Sequence, residues 1–335
     1  MATILVTGGA GYIGSVLVPK LLAEGHRVVV LDALWFGDRG LQAVADSEGL
    51  EIVPGDLRDH EGVERLLRES SPEVVIHLAA VSNDPCSDID AELTRSINLD
   101  ATASLMRQAK RAGVRRFLNA SSASVYGVKE ELEVTEDLAL EPQTLYARYK
   151  AETEAVLDDL VDESFCGFSL RSATVCGNSP RLRLDLTINI LTYHAVTKGR
   201  IRVFGGAQYR PNVHIQDLTD LYARLVDTEP SLINGKALNV STRNSSVLEL
   251  AQMVRDQVSP DLPIDIVPTE DNRSYRLSTG RAERELGFAP AHELGEAVSE
   301  LKRGFEDGSI SAPDDYRYRN VEVMKRHPEI LGWPA

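Results

Sequence analysis

At 335 residues with 43% hydrophobic side chains, the chain is long enough for one large or two ordinary domains around a sizeable core, which excludes a disordered polymer. Lys and Arg number 36 against 51 Asp and Glu; the net charge of −15 argues against a broad nucleic-acid or anionic-membrane surface and leaves an anionic ligand to local basic pockets. The three cysteines, Cys86, Cys166 and Cys176, are too scattered for a disulfide framework or a metal site, and no signal-peptide pattern or run of about twenty apolar residues is present, so a soluble, cytoplasmic, metal-free protein is expected.

Short apolar runs alternate with amphipathic stretches through the first half, which predicts an α/β fold with a doubly wound parallel Rossmann sheet. Residues 3–7, 27–32, 51–53, 74–78, 116–119 and 168–171 read as strands. Ile13, Leu17 and Leu21 recur every four residues along one helical face, and 62–69, 91–112 and 144–160 also read as helices. Residues 1–175 are taken as this unit. Beyond it the Gly205-Gly206 and Asn234-Gly235 turns and several prolines break the pattern, so 176–335 is expected to form a smaller α/β substrate region. Strands at 202–204, 212–215 and 237–240 fit either part, so some segments are free to return to the first. Asp158, Asp159, Asp162 and Glu163 read as a solvated helix end.

Thr7-Gly8-Gly9-Ala10-Gly11-Tyr12-Ile13-Gly14 lies between the first strand and the first helix, the context of a dinucleotide-binding loop. Gly8 permits the tight turn, Gly11 lets backbone approach a pyrophosphate, and Gly14 allows close helix packing, while the helix N-terminus aims N–H groups at the anion. An ordinary glycine-rich turn is the bland alternative. Asp32, ending the second strand, can accept hydrogen bonds from the adenosine ribose and would repel a 2′-phosphate, which favours NAD over NADP; a turn cap is its alternative. Asp56-Leu57 follows the third strand, placed for a carboxylate to meet the adenine amino group and for leucine to meet its face. His77-Leu78-Ala79-Ala80 ends the fourth strand with small residues that let a dinucleotide cross the sheet edge, and His77 itself reads as a packed strand residue.

Asn119-Ala120-Ser121-Ser122-Ala123-Ser124-Val125-Tyr126-Gly127 follows the fifth strand, where parallel sheets place ligands. Tyr146-Ala147-Arg148-Tyr149-Lys150 then puts Tyr146 and Lys150 four apart on one helix face. A neighbouring ammonium and a positively charged nicotinamide ring both favour a phenolate, which makes Tyr146 a candidate base and Lys150 its tuner; Tyr149 reads as packing.

Glycine loop, serine segment and Tyr/Lys pair, in this order, resemble the extended short-chain dehydrogenase/reductase family, in particular its nucleotide-sugar epimerases and dehydratases. The resemblance implies Ser122, Tyr146 and Lys150 as the catalytic triad, against Ser121 and Ser124. It implies NAD held by Gly8, Gly11, Tyr12, Ile13, Gly14, Asp32, Asp56, Leu57, Leu78, Ala79, Ala80 and Asn98, together with Tyr146 and Lys150. For the nucleotide diphosphate it points to Asn189, Arg210 and Arg273, and it places Thr174 where many relatives carry Asn. A guanidinium fork suits that anion. Ser82 and Asn83, after the fourth strand, are candidates for sugar recognition, with an Asx turn as the alternative. His214 and Asp217 have no ligand cluster to join and read as structural.

The reaction implied is transient oxidation of a nucleotide sugar to a 4-keto-sugar, with hydride returned to the opposite face. The dTDP-glucose dehydratases resemble Thr-Asp-Glu where this chain has Ser122-Ala123-Ser124, so the pattern is closer to the 4-epimerases. A nucleotide-ketosugar reductase using NAD(P)H is the alternative, with a decarboxylase or a nucleotide-binding scaffold further off. A homodimer through the helices at 91–112 and 144–160 is also expected from the resemblance, with a nucleotide-diphosphate sugar and neither nucleic acid nor membrane as partner.

Overall fold

The computed structural model describes residues 1–269 and 274–327. A seven-stranded sheet is built from β1 (Thr3–Thr7), β2 (Arg27–Asp32), β3 (Leu50–Pro54), β4 (Val74–His77), β5 (Arg116–Ser122), β6 (Cys166–Ser172) and, much later in the chain, β10 (Lys236–Val240). Its order is β10-β6-β5-β4-β1-β2-β3, parallel throughout. The central strands are apolar runs because both faces are covered: Ile4, Leu5 and Val6 are all fully buried, on alternate faces of β1. Strand order reverses at β1, between β2 and β4, so a crevice opens there beyond the strand ends.

Helix α1 (Gly14–Ala23) starts at the glycine loop and buries Leu17, Val18 and Leu21 on the side it packs against helix Ile215–Asp227. Helix Leu145–Leu160 begins with Thr144, whose hydroxyl accepts from the Ala147 N–H at 3.2 Å, a side-chain cap for an otherwise unpaired donor. It runs beside helix Thr102–Arg111.

The helix expected over 91–112 runs on through residues 91–111, but not as a uniform α-helix. Ala91–Arg95 and Thr102–Arg111 are separated by a π-helical turn at Ser96–Ala101. The cause is local. Asn98 turns its amide onto the Val81 backbone, accepting at 2.8 Å and donating at 2.9 Å, while the Thr102 hydroxyl bonds the Ile97 carbonyl and His77.

The later half adds a three-stranded sheet, β7 (Thr174–Cys176), β9 (Tyr209–His214) and β11 (Arg243–Ser246), and a two-stranded one, β8 (Ile201–Phe204) with β12 (Ile264–Val267). Helices Thr187–Lys198, Val247–Val258 and Leu294–Glu306 enclose their own core of Ile188, Leu191, Leu250, Val254 and Val298. All three cysteines are buried and unpaired. Among the described residues no helix is long and apolar enough to cross a membrane.

Candidate active site

The crevice at the strand-order reversal is a cleft of about 390 Å³ that runs from the glycine loop to the serine segment. Its first wall is backbone. Gly8 has φ +72°, and a Cβ there would lie 2.7 Å from the Ala79 nitrogen; a Cβ on Gly14 would lie 2.5 Å from Gly9 Cα. The sharp turn and the close packing both therefore require glycine. Gly11 faces the cleft but also closes the loop, donating its N–H to the Gly8 carbonyl at 3.1 Å. Tyr12, Ile13, Leu78, Ala79 and Ala80 line the same wall.

Asp32 caps the loop as well as facing the cleft: its carboxylate accepts from the Ala10 N–H at 2.9 Å and the Leu34 N–H at 2.8 Å. A carboxylate has about four lone-pair sites, so each oxygen keeps acceptor capacity for a ligand. Burial raises its pKa against these two bonds. Leu57 and Asp56 line the adjoining end, where Asp56 is held in a fork by Arg58 at 2.7–3.2 Å. Asn98 does not line the cleft; its amide is committed to Val81, and it shapes the loop after β4 from behind.

At the other end Ser122, Tyr146 and Lys150 come together. The Ser122 hydroxyl oxygen accepts from both the N–H and the O–H of Ser124, at 3.2 and 2.9 Å. With both lone pairs taken, the Ser122 hydroxyl keeps its own proton to donate, and it acts to lower the pKa of the neighbouring Tyr146 phenol. Ser124 is thus an orienting partner that the sequence reading set aside. Ser121 turns the other way and donates to Glu154, which is itself forked by Arg171.

Burial, followed by the nearby Asp84 carboxylate, pushes the Tyr146 phenol up to about 12, while the Ser122 hydrogen bond and the Arg183 charge act to lower it. Lys150 Nζ lies 5.8 Å from the Tyr146 ring centroid and donates to the Ala120 carbonyl at 2.6 Å. Burial holds the ammonium down at about 8. Arg183 is thus a second cation that acts on Tyr146, beside the Lys150 ammonium near its ring. Asp84 in turn accepts from the Thr144 hydroxyl at 2.6 Å.

Several expectations about the substrate wall change. Thr174, Arg210, Ser82 and Asn83 line the cleft. Asn83 has φ +74° and accepts from the Cys86 N–H at 3.0 Å, so its amide oxygen makes the Asx cap of a short helix. Ser82 accepts from Arg183 at 3.1 Å and from Asn320 at 3.2 Å, which leaves its own proton to donate. Asn189 is fully buried and off the cleft wall: it accepts from the Gly177 N–H and donates to the Arg183 carbonyl and the Tyr12 hydroxyl. It ties the loop after β7 to the glycine loop. Arg273 lies outside the described residues.

That loop carries what the sequence reading missed. Arg181 and Arg183 both line the cleft, with Tyr275 and Asn320 nearby. Arg183 forks onto Asp185 at 2.9 and 3.1 Å. The alternation Arg181-Leu182-Arg183-Leu184-Asp185 was the available signal, since it puts every second side chain on one side of an extended segment.

His77 and Asp217, expected to be structural, are held by hydrogen bonds within the protein. His77 bonds the Thr7 and Thr102 hydroxyls at 2.7 and 3.0 Å, and burial holds it neutral with a pKa down to about 3. Asp217 accepts from the Ala291 and His292 N–H groups.

A family model described as the NAD dependent epimerase/dehydratase family matches residues 4–241. The UDP-glucose 4-epimerase of Mycolicibacterium smegmatis is 33% identical over 315 residues, spanning 91% of this chain and 99% of that protein. The solved structure of a dTDP-glucose 4,6-dehydratase from Streptomyces venezuelae, with NAD bound, is similar at a TM-score of 0.82 and 27% identity, covering 93% of this chain and 100% of that one. A Thermus thermophilus UDP-glucose 4-epimerase in complex with NAD gives a TM-score of 0.79 and 27% identity, covering 91% and 99%.

Proposed function

The chain belongs to the NAD dependent epimerase/dehydratase family, and from that premise we propose that it is an NAD-dependent nucleotide-sugar 4-epimerase. The observation that carries this reading is the set of hydroxyls on one cleft: Ser124 orients Ser122, Ser122 acts on the Tyr146 phenol, and the 122–124 segment offers hydroxyls rather than carboxylates. An eliminating enzyme needs an acid and a base beside the sugar; an epimerase needs only a proton carrier at one oxygen.

NAD fits the residues present, on the evidence of the Cβ-excluding cradle at Gly8 and Gly14 and the outward acceptor capacity of Asp32. When bound, it supplies the chemistry of taking a hydride from the sugar carbon and giving it back. The protein's own part is to move one proton. Tyr146 is a phenol at neutral pH, the form that protonates a keto oxygen; Ser122 and Arg183 favour the phenolate needed in the opposite direction. Thr174, Ser82 and Arg210 face the nucleotide-sugar end, where the Arg210 guanidinium suits a diphosphate.

Residues 1–175 carry the NAD half and 176–335 mainly the sugar-nucleotide half, with β10 returning to the first sheet. We place the enzyme in the cytoplasm as a homodimer through helices Thr102–Arg111 and Leu145–Leu160, with no nucleic-acid or membrane partner. The charge of −15 and three unpaired cysteines support this setting. Light scattering checks the dimer.

The direct experiment is to follow UDP-, GDP-, ADP- and dTDP-sugars by NMR without added reduced cofactor. Isomerisation with no net redox is expected, and a stoichiometric requirement for NADPH would make the protein a ketosugar reductase. Tyr146→Phe should lower kcat by roughly 10²–10⁴-fold while NAD binding persists. Equal activity in that variant would remove Tyr146 from the chemistry.

A further inference from the structure

Arg181 reaches the cofactor wall from the far half of the chain. Its backbone hangs from the first turn of α1: the Arg181 N–H donates to Ser15 Oγ and Ser179 Oγ at 3.4 and 3.3 Å, and the Ser179 hydroxyl donates to the Tyr12 carbonyl at 2.8 Å. The side chain is 6% exposed, and its guanidinium lies 4.2 Å from the centre of the Phe36 ring. Among the described residues, neither terminal nitrogen has a hydrogen-bond partner.

That is an expensive arrangement, since a buried guanidinium needs both a counter-charge and acceptors for its N–H groups. Other buried or half-buried arginines obtain them within the protein: Arg171 forks onto Glu154, Arg183 onto Asp185 and Arg58 onto Asp56. Arg181 has only the fields of Asp185, already forked by Arg183, and of Asp32, whose carboxylate accepts from Ala10 and Leu34. Burial, reinforced by the Arg183 charge, lowers its pKa to about 10. The fork is thus left with two donors on the same cleft as Gly11, Tyr12, Ile13 and Asp32. A planar fork with two unpaired donors matches two oxygens of one phosphate.

We propose that Arg181 is a ligand of the diphosphate of the bound dinucleotide, supplied by the half of the chain that otherwise lines the sugar-nucleotide end. A 2′-phosphate would present the same chemistry, but the Asp32 carboxylate repels it. The inference rests on the NAD reading above and adds a consequence: the cofactor is gripped from both halves, so its release requires loop 177–186 to part from α1. Such retention suits a reaction that returns the electrons it borrows within one turnover.

The test uses full-length protein stripped of nucleotide, with calorimetric Kd values for NAD, NADP, ADP and adenosine. Arg181→Gln should weaken NAD and ADP by at least about tenfold and leave adenosine within about twofold, with Arg181→Lys in between. If ADP is unaffected, or adenosine falls equally, the proposal fails; if the loss is confined to NADP, the fork serves a 2′-phosphate and the proposal is likewise overturned. Wild-type protein that binds none of the four would overturn the NAD reading itself. Thermal unfolding of Arg181→Met provides a second readout. Without nucleotide its Tm should match or exceed wild type, because an unpaired buried charge is gone, while the rise in Tm on adding NAD shrinks. A large drop in Tm without nucleotide would make Arg181 a structural residue.

Discussion

The wall formed by Gly8–Gly14 meets a ligand with backbone and small side chains, whereas the wall across the cleft presents Arg181, Arg183 and Arg210. The first is held mainly by shape, the turn at φ +72° and the absence of Cβ atoms, with one carboxylate, Asp32, tying its loop. On the second, two guanidinium groups are buried, and the structure must compensate each one. Arg183 has Asp185 and Ser82; Arg181 has an aromatic face and the fields of two carboxylates that bond elsewhere. A backbone wall is therefore pre-organised whether or not a ligand is present, while a charged wall is completed by its ligand.

The largest effect should come from breaking the backbone wall. Gly14→Val places a branched side chain where even a Cβ meets Gly9 at 2.5 Å, so the loop cannot close. Purified protein should carry no NAD and show no turnover; a variant that co-purifies with NAD at wild-type occupancy would show that the cradle is not what holds it.

A smaller effect is expected behind the charged wall. Asn189→Leu leaves the Gly177 N–H and the Arg183 carbonyl unpaired, each worth about 1–3 kcal/mol when buried. The expected result is a Tm lower by roughly 5–10 °C with KM changed little. An unchanged Tm with a KM raised more than about tenfold would return Asn189 to the substrate's diphosphate.

The smallest expected effect is on pH. Lys150 is held down at about 8, so its ammonium is present below that pH and lost as pH rises through it. Turnover should decline on the alkaline side with a midpoint near 8. A profile flat to about pH 10 would mean that the Lys150 charge contributes nothing.

The same contrast explains what could be read in advance. The glycine loop, Asp32 and the Tyr146–Lys150 spacing are legible because each depends on neighbours a few residues away. Strand positions such as Thr3–Thr7 and Arg27–Asp32 follow from apolar runs that stay buried on both faces. Loop 177–186 depends instead on contacts more than 150 residues apart, such as Ser15 with Ser179 and Tyr12 with Gly177. The alternation from Arg181 to Asp185 is the one local trace of the charged wall, and nothing local marks Asn189 as facing inward. The π turn at Ser96–Ala101 was hidden for the same reason, since Val81 and His77 provoke it from outside the helix.

In the proposed reaction one electron pair leaves the sugar and returns to the same carbon while Tyr146 carries only a proton. The most direct measurement is the fate of deuterium placed at C4 of the epimerised nucleotide sugar, followed by NMR in ordinary water with no added reduced cofactor. The product should be inverted at C4 with the label still on that carbon. Inversion with the deuterium washed out into solvent would replace hydride return by proton abstraction and contradict the account.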